Sequence, residues 1–447
     1  MRILFVVPKP WKFYFNIEEK LPPIGLAYLS AILKKRGDIV KIFDNYLFEK
    51  KNVEPIINRF KPDIVGISIT SITARHGYEV AKIASNKGII TILGGPHATL
   101  MPRQAISKEY VDYVVVGEGE LTIKNLMEQI ENGKNEKIKG VFYKDQTYIP
   151  QDLIKNLDSL PFPAWELVNL KNYPRKSRFV NVSPVDSLNT SRGCPFNCVF
   201  CSVASVWGRN HRSFSPERII QEILILKEKY QTKAIYFRED NFTANRKRVE
   251  NFCKLMIDRK IDMSWICESR VDTLNKELLI KMKKSGCQAI YFGIESGSQK
   301  MLNYMKKGIN LEQAKKILKL CKSIGIKSAT SFLIGTPEET YQTVRKTVRF
   351  IIDNKPDYNW VNIYTPLPKS NLYNEILDTG WYEKYDVISG MCHLKTPKFD
   401  FNIVNSWLEK AWKEEYTIIK YWLSKLKKFN LISLKNYIQR KFFKKLK

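Results

Sequence analysis

The first 193 residues contain no cysteine, and the whole chain of 447 holds only 8. No apolar run reaches the roughly 18 residues that a membrane-crossing helix needs, so a helical membrane span is not expected. The opening MRILFVVP is too short for a signal peptide and is closed too soon by Pro8; it reads as a buried strand. A cytoplasmic location is the expectation that follows. Also lacking is a nucleic-acid recognition fold or a basic stripe with spaced stacking aromatics, although the net charge is +29. That charge reads either as Lys-rich helix faces in solvent or as attraction to an anionic partner such as nucleic acid or a membrane surface. The hydrophobic fraction of 44% is enough for real cores, and the length calls for two or three domains.

The first 130 residues alternate strand and helix signals. Strands are expected in RILFVVP, IVKIFD, PDIVGISIT, IITILGG and VDYVVVGEGE. A helix is expected over Ile24 to Gly37, ended by that glycine. Such alternation predicts a parallel, doubly wound α/β sheet, whose ligands bind at the carboxyl ends of the strands. Small residues gather at those ends: Ser68 to Ser71, Gly94 to His97, and Gly117 to Glu120. Glycine admits a close ligand and hydroxyls bond to it, so three such turns on one edge point to a ligand site.

From Ser187 a second βα series begins, with six repeats. A helix is expected from Pro216 to Tyr230, capped by Ser215. The series predicts a complete or partial parallel barrel working at its C-terminal face. Its first loop carries SRGCPFNCVFCS, with Cys194, Cys198 and Cys201 in C-x3-C-x2-C spacing. In a reducing compartment that density means metal rather than disulfides. A four-iron cluster takes four cysteines. With no fourth nearby, one iron is left open for a substrate or cofactor. Zinc asks for four ligands, and His211 lies ten residues past Cys201, an unusual finger spacing. Cys253, Cys267, Cys287, Cys321 and Cys392 stand singly in apolar surroundings and read as buried small hydrophobes.

The cysteine spacing, with Phe200 before the last one, resembles the radical S-adenosylmethionine (radical SAM) superfamily. That resemblance implies a cofactor chelating the open iron and cleaved to a 5′-deoxyadenosyl radical. It assigns Glu239 or Asp240 of YFRED to the methionyl ammonium and Arg270 of CESRVD to the carboxylate. It gives Glu295 and Ser296 of FGIES to the ribose or methionyl end, and Gly335 of FLIGTPEET to adenine. The first domain resembles the cobalamin-binding half of a subgroup of these enzymes, through LPPIGLAYLSAIL, DIVGISITS and ILGGPHAT. On that resemblance Pro23, Gly25, Ser68, Thr70, Ser71, Gly94, Gly95, Pro96, His97, Gly117 and Glu118 are the cobalamin-binding candidates. The segment from Pro8 to Pro23 has no histidine, which implies a cobalt without a lower His ligand; His97 reads as a loop hydrogen-bonder. Methylthiotransferases share the barrel motifs but carry a second cysteine set, which this chain lacks before Cys194.

The expected layout is a Rossmann-like cobalamin-binding domain over 1–150, a linker over 151–184, a partial (β/α)6 barrel over 185–380 and a basic helical region over 381–447. The implied activity is methylation of an unactivated carbon. Ring closure or rearrangement is the alternative, and a non-catalytic cobalamin-binding regulator is the second. The expected partners are a small-molecule or lipid substrate and a reductant such as flavodoxin or ferredoxin. Residues 401–447 hold 12 Lys/Arg against 3 Glu, so peripheral membrane contact weighs evenly against a solvated helix there.

Overall fold

The computed structural model describes residues 1–10, 20–47, 52–134, 136–381 and 394–415. Two six-stranded sheets organise it. The first holds β1 (Arg2–Val7), β2 (Ile39–Asp44), β3 (Ile64–Ser68), β4 (Ile90–Gly94), β5 (Tyr113–Val115) and β6 (Val141–Phe142). Their order is β2-β1-β3-β4-β5-β6, with only β6 antiparallel. This is the doubly wound 2-1-3-4-5 order, with its switch point between β1 and β3. Ile64, Val65, Gly66 and Ile67 are buried on both faces of β3, as a central parallel strand requires. The helix Ile24–Arg36 stops at Gly37, whose φ of 102° lets its N–H turn back to the last carbonyls.

The second sheet holds β7 (Val185–Leu188), then, after the short antiparallel pair β8 (Ser191–Arg192) and β9 (Arg212–Ser213), the strands β10 (Ala234–Phe237), β11 (Ser264–Ser269), β12 (Cys287–Glu295), β13 (Lys327–Ile334) and β14 (Tyr358–Ile363). All six long strands are parallel, and β7 and β14 are the two ends. The expected partial barrel is therefore present. The helix Pro216–Tyr230 begins as expected: Ser215 Oγ accepts from Arg218 N, and Ile219, Ile220, Ile223 and Leu226 turn inward.

The connector 151–184 packs as part of the barrel. Leu157, Leu160, Trp165 and Leu170 share a core with Ile219 and Ile223, and Tyr28 of the first domain joins them. Tyr28 Oη donates to Glu222 Oε1 at 2.9 Å, so the two domains are joined by a buried polar contact as well as by apolar area. Phe179 closes the floor of the barrel. It meets the rings of Tyr236, Tyr358 and Trp360 edge-on, with centroids 5.9, 5.3 and 6.0 Å away. The small residues Ala234, Ala289 and Ala329 make room for it, and Ile266 packs in the same cluster. Phe179→Ala leaves a void beneath the lumen and is expected to cost about 3 kcal/mol, read as a lowered urea midpoint with an unchanged slope.

The helix Phe401–Glu415 docks on Tyr341–Asn354, where Glu415 takes Arg345 Nε at 2.6 Å and Arg349 Nη1 at 2.9 Å. Cys253, Cys267, Cys287 and Cys321 are all buried. Cys392 and the basic stretch from 416 onward lie outside the described residues.

Candidate functional site

The neck formed by β8 and β9 pinches residues 193–211 into a loop at the C-terminal face of the barrel. Gly193 allows the pinch: its φ is 85°, and a Cβ there would stand 2.3 Å from the Asn210 carbonyl oxygen. Cys194 N donates to Gly208 O, and Cys201 N turns back to Cys198 O at 3.2 Å. The three thiols are free and partly exposed. Burial pushes the Cys201 thiol up to about 11, with Cys198, Asp240 and Cys194 adding to it, while the Val203 N–H pulls the other way. Cys194 is raised for the same main reason. Thiols that hold their protons here release them when a metal takes the sulfurs. Among the described residues no three His, Cys, Asp or Glu side chains close around a single ion. Three free thiols on one loop can supply three corners of an iron–sulfur cubane.

The two acids after β10 have opposite fates. Glu239 is buried and fully engaged. It accepts Thr190 N at 2.8 Å and the hydroxyls of Thr190 and Ser191, and it faces Arg248 Nη2 at 3.5 Å. It therefore anchors the strand that leads into the cysteine loop. Asp240 keeps part of its surface exposed although the protein crowds its carboxyl, and no described residue bonds to its carboxylate. Burial by the surrounding protein, followed by the charges of Glu268 and Glu239, raises its carboxyl to about 6. Its charge is felt at Cys194 and Cys201. Of the pair, Asp240 is the one free to receive a cation.

Arg270 is held in place. Its Nε and Nη2 bond to Asp272 at 2.9 and 2.8 Å, and Nη2 also reaches Lys307 O at 2.6 Å. The remaining Nη1 points at Cys198 Sγ, 3.8 Å away, and the guanidinium lies 3.6 Å from the centroid of the Phe196 ring. Arg270 thus braces the cysteine loop from inside the barrel. Phe200 packs at the margin of the barrel core. Glu295 adopts φ 73° and pairs with Lys307 Nζ at 2.9 Å. Ser296 is buried; its hydroxyl accepts from Ser298 N and meets Thr347, so it serves its own turn. Gly335, at φ 81°, donates to Glu339 Oε2 at 3.2 Å. Burial lifts the Glu339 carboxyl to about 7. Glu339, Lys307 and Arg248 escaped sequence reasoning; only Glu339 sat inside a quoted motif.

At the first domain's edge, Ser68, Thr70, Ser71, Gly94, Gly95 and Pro96 come together. Gly95, at φ 92°, has room for no side chain: a Cβ would meet Ile69 O at 2.8 Å and Ser68 Oγ at 2.9 Å. Gly94 is uncrowded. His97 is a loop hydrogen-bonder. Its Nδ1 meets Ser71 Oγ at 3.2 Å, and burial brings its imidazole down to about 4, against the pull of Gln104. Gly117 N donates to Thr99 Oγ1 at 2.9 Å. Pro23 precedes the first helix, where Gly25 is exposed with open space beside it. Glu118 differs from the expectation. It is buried against Arg192 and Arg212 of the cysteine-loop neck, at 3.2 and 2.7 Å, because those two cations need a desolvated partner. It therefore has no carboxylate oxygen left facing a ligand cleft.

The two edges confront each other. Helix Val203–Trp207, just after the cysteines, packs on helix Pro96–Leu100. Lys369 Nζ reaches Thr99 O at 3.4 Å, while its carbonyl takes Ser205 Oγ at 3.0 Å.

The family model for the Radical SAM superfamily matches residues 188–351, and that for the B12 binding domain matches 13–127. A Pyrococcus horikoshii protein named "Uncharacterized methyltransferase PH0819" is 36% identical over 428 residues, covering 92% of each chain. The anaerobic magnesium-protoporphyrin IX monomethyl ester cyclase of Rubrivivax gelatinosus is 30% identical, covering 87% of this chain and 73% of its own. Among solved structures, the radical S-adenosylmethionine methyltransferase TsrM from Kitasatospora setae superposes with a TM-score of 0.72 at 17% identity, over 85% of this chain and 76% of that one; this likeness shows the fold. Fold and site define a radical enzyme built around an iron–sulfur loop. The chain belongs to the cobalamin-binding-domain branch of the radical SAM superfamily.

Proposed function

We propose that the chain methylates an unactivated carbon of a small or lipid-like substrate. The observation that carries this reading is the placement of three free thiols on a loop that faces the ligand edge of the first domain. Bound at these sites, a [4Fe-4S] cluster supplies the electron that cleaves S-adenosylmethionine, and a corrinoid supplies the methyl group. Cys194, Cys198 and Cys201 hold the iron. Asp240 takes the methionyl ammonium, a charge-assisted bond suited to a carboxylate without other partners. Glu239 and Arg270 keep the loop in register from below. Glu295 and Gly335 stand at the ends of β12 and β13 on the same face, and at Gly335 the missing side chain admits Val404 and Ile363. In the first domain the crowded turn at Gly95 brings backbone to the strand ends where a corrinoid would lie.

The reading is tested by incubating reconstituted protein with S-adenosylmethionine, a reductant such as flavodoxin or ferredoxin, and candidate substrates. 5′-Deoxyadenosine and a product heavier by one methylene support it; absence of 5′-deoxyadenosine across the panel refutes it. Ring closure is the second reading, favoured by the cyclase relative, and a product lighter by two hydrogens selects it.

Cobalt in this chain is proposed to lack a His ligand on its lower face, since Pro8 to Pro23 holds none and His97 is tied to Ser71. The electron paramagnetic resonance spectrum of the cob(II)alamin form is expected to show no nitrogen superhyperfine splitting from the protein; clear splitting that shifts on 15N-His labelling contradicts this. Among the described residues no helix is long and apolar enough to cross a membrane. Peripheral contact through the Lys-rich residues after Val404 is proposed, and their deletion is expected to abolish binding to anionic liposomes. Unchanged binding removes the idea.

A further inference from the structure

The GEGE turn after β5 has the sequence of a ligand-edge turn, yet its two glutamates face the neck of the cysteine loop. Glu118 forms ion pairs with Arg192 Nη1 at 3.2 Å and Arg212 Nη1 at 2.7 Å, and its other oxygen accepts Ile154 N at 2.8 Å. Glu120 accepts from both Arg192 Nη1, at 3.3 Å, and Nη2. Arg212 also donates to Ile154 O at 2.8 Å and Trp207 O at 3.1 Å. All four side chains are nearly buried, at 1% and 6% exposure for the glutamates and 12% and 9% for the arginines. Arg192 and Arg212 are paired across the neck of the cysteine loop, one on each of its two strands. The same turn begins with Gly117, whose N–H is bonded to Thr99 on the helix that opens the first domain's ligand edge.

We infer that Glu118 and Glu120 are positioning residues that clamp both strands of the cysteine-loop neck to the first domain, and thereby couple iron–sulfur loading to corrinoid affinity. The inference rests on the cofactor reading above. A buried set of two anions and two cations holds one geometry, because parting any pair strands a charge away from water. A loop ordered by its cluster keeps the neck closed, and the closed neck holds the GEGE turn against Thr99. A loop without iron lets the neck breathe, and the turn loosens with it. Coupling between two sites is reciprocal, so whatever the cluster does for corrinoid binding, the corrinoid does for the cluster.

The test titrates hydroxocobalamin, followed by absorbance, into the full chain with its cluster reconstituted and into the same chain stripped of iron. Wild type is expected to bind about tenfold more tightly when loaded. The ratio is expected to fall to about one in Glu118→Gln/Glu120→Gln, which keeps shape but removes charge. Glu120→Asp keeps the charge and is expected to retain most of the ratio. Equal affinities in loaded and stripped wild type overturn the inference, as does a double variant with the wild-type ratio. Amide hydrogen exchange supplies an arm that needs no corrinoid. In stripped protein, residues 193–211 are expected to exchange at least about tenfold faster in the double variant, and unchanged exchange overturns the clamp. A wild-type chain that takes up no hydroxocobalamin refutes the functional reading, and the exchange arm then still decides the clamp.

Discussion

Cys198→Ala is expected to strip the loop of its iron, from about four atoms per chain to below one, and to end S-adenosylmethionine cleavage. Among the described residues no other thiol is placed to replace it. Cys253, Cys267, Cys287 and Cys321 lie in the barrel wall at 0–1% exposure, facing core residues. Cys194→Ala and Cys201→Ala are expected to behave alike, since each removes one corner of the same site. Cys253→Ala leaves a small void in the core but is expected to keep full iron. The fold itself survives the loop variants. The neck is held by Glu239 from the barrel and by Glu118 and Glu120 from the first domain, so thermal unfolding of the iron-free proteins is expected to match iron-free wild type. Iron analysis after anaerobic reconstitution checks the prediction; full iron in any of the three loop variants contradicts it.

Asp240→Asn is expected to weaken S-adenosylmethionine binding by about tenfold to a hundredfold, the loss of one charge-assisted hydrogen bond of about 1.5–3 kcal/mol. Glu239 cannot substitute, because Thr190, Ser191 and Arg248 already use its oxygens. The pH dependence has a definite sign. Asp240 titrates at about 6 in the folded chain against an ordinary 3.8. Wild-type affinity is therefore expected to fall as pH drops through 6, and the variant's is not. Stability runs the other way. The folded state binds this proton more tightly than the unfolded one, so stability declines as pH rises between the two values. The variant escapes that decline. It is expected to melt slightly higher than wild type above pH 6 and alike below 3.8; solvent around the carboxylate keeps the gain small. An acid at this position thus serves binding at some cost to the fold. Equal affinities for wild type and variant at neutral pH contradict the assignment.

Local signals carried most of the fold. Ser215 and Pro216 mark a helix start by chemistry that acts within one turn, and Gly37 marks a stop the same way. The helix Asn371–Thr379 carries the same local marks, an N-capping Ser370 and a left-handed Gly380, whereas the short helix Glu54–Phe60 has a proline in its first turn but no side-chain cap. The cysteine loop was legible because its spacing is itself the chemistry. The choice between Glu239 and Asp240 was not, since it depends on Thr190 and Arg248, at distant positions in sequence. Glu118 shows the same limit more sharply. Its glycine-flanked turn resembles a ligand loop, and only the approach of Arg192 and Arg212 from another domain gives it a different use. Phe179 lies in a connector with little periodicity, and its part as the barrel floor is set by the five strands β10 to β14 that follow it in the chain.

The proposed chemistry requires an iron–sulfur cluster held by Cys194, Cys198 and Cys201 with one iron open. Electron paramagnetic resonance of the anaerobically reconstituted, reduced protein, recorded before and after S-adenosylmethionine is added, tests it most directly. A reduced [4Fe-4S] signal whose g-values shift on addition is the expected result. A signal unmoved by S-adenosylmethionine, or a protein that carries stoichiometric zinc and no iron, contradicts it.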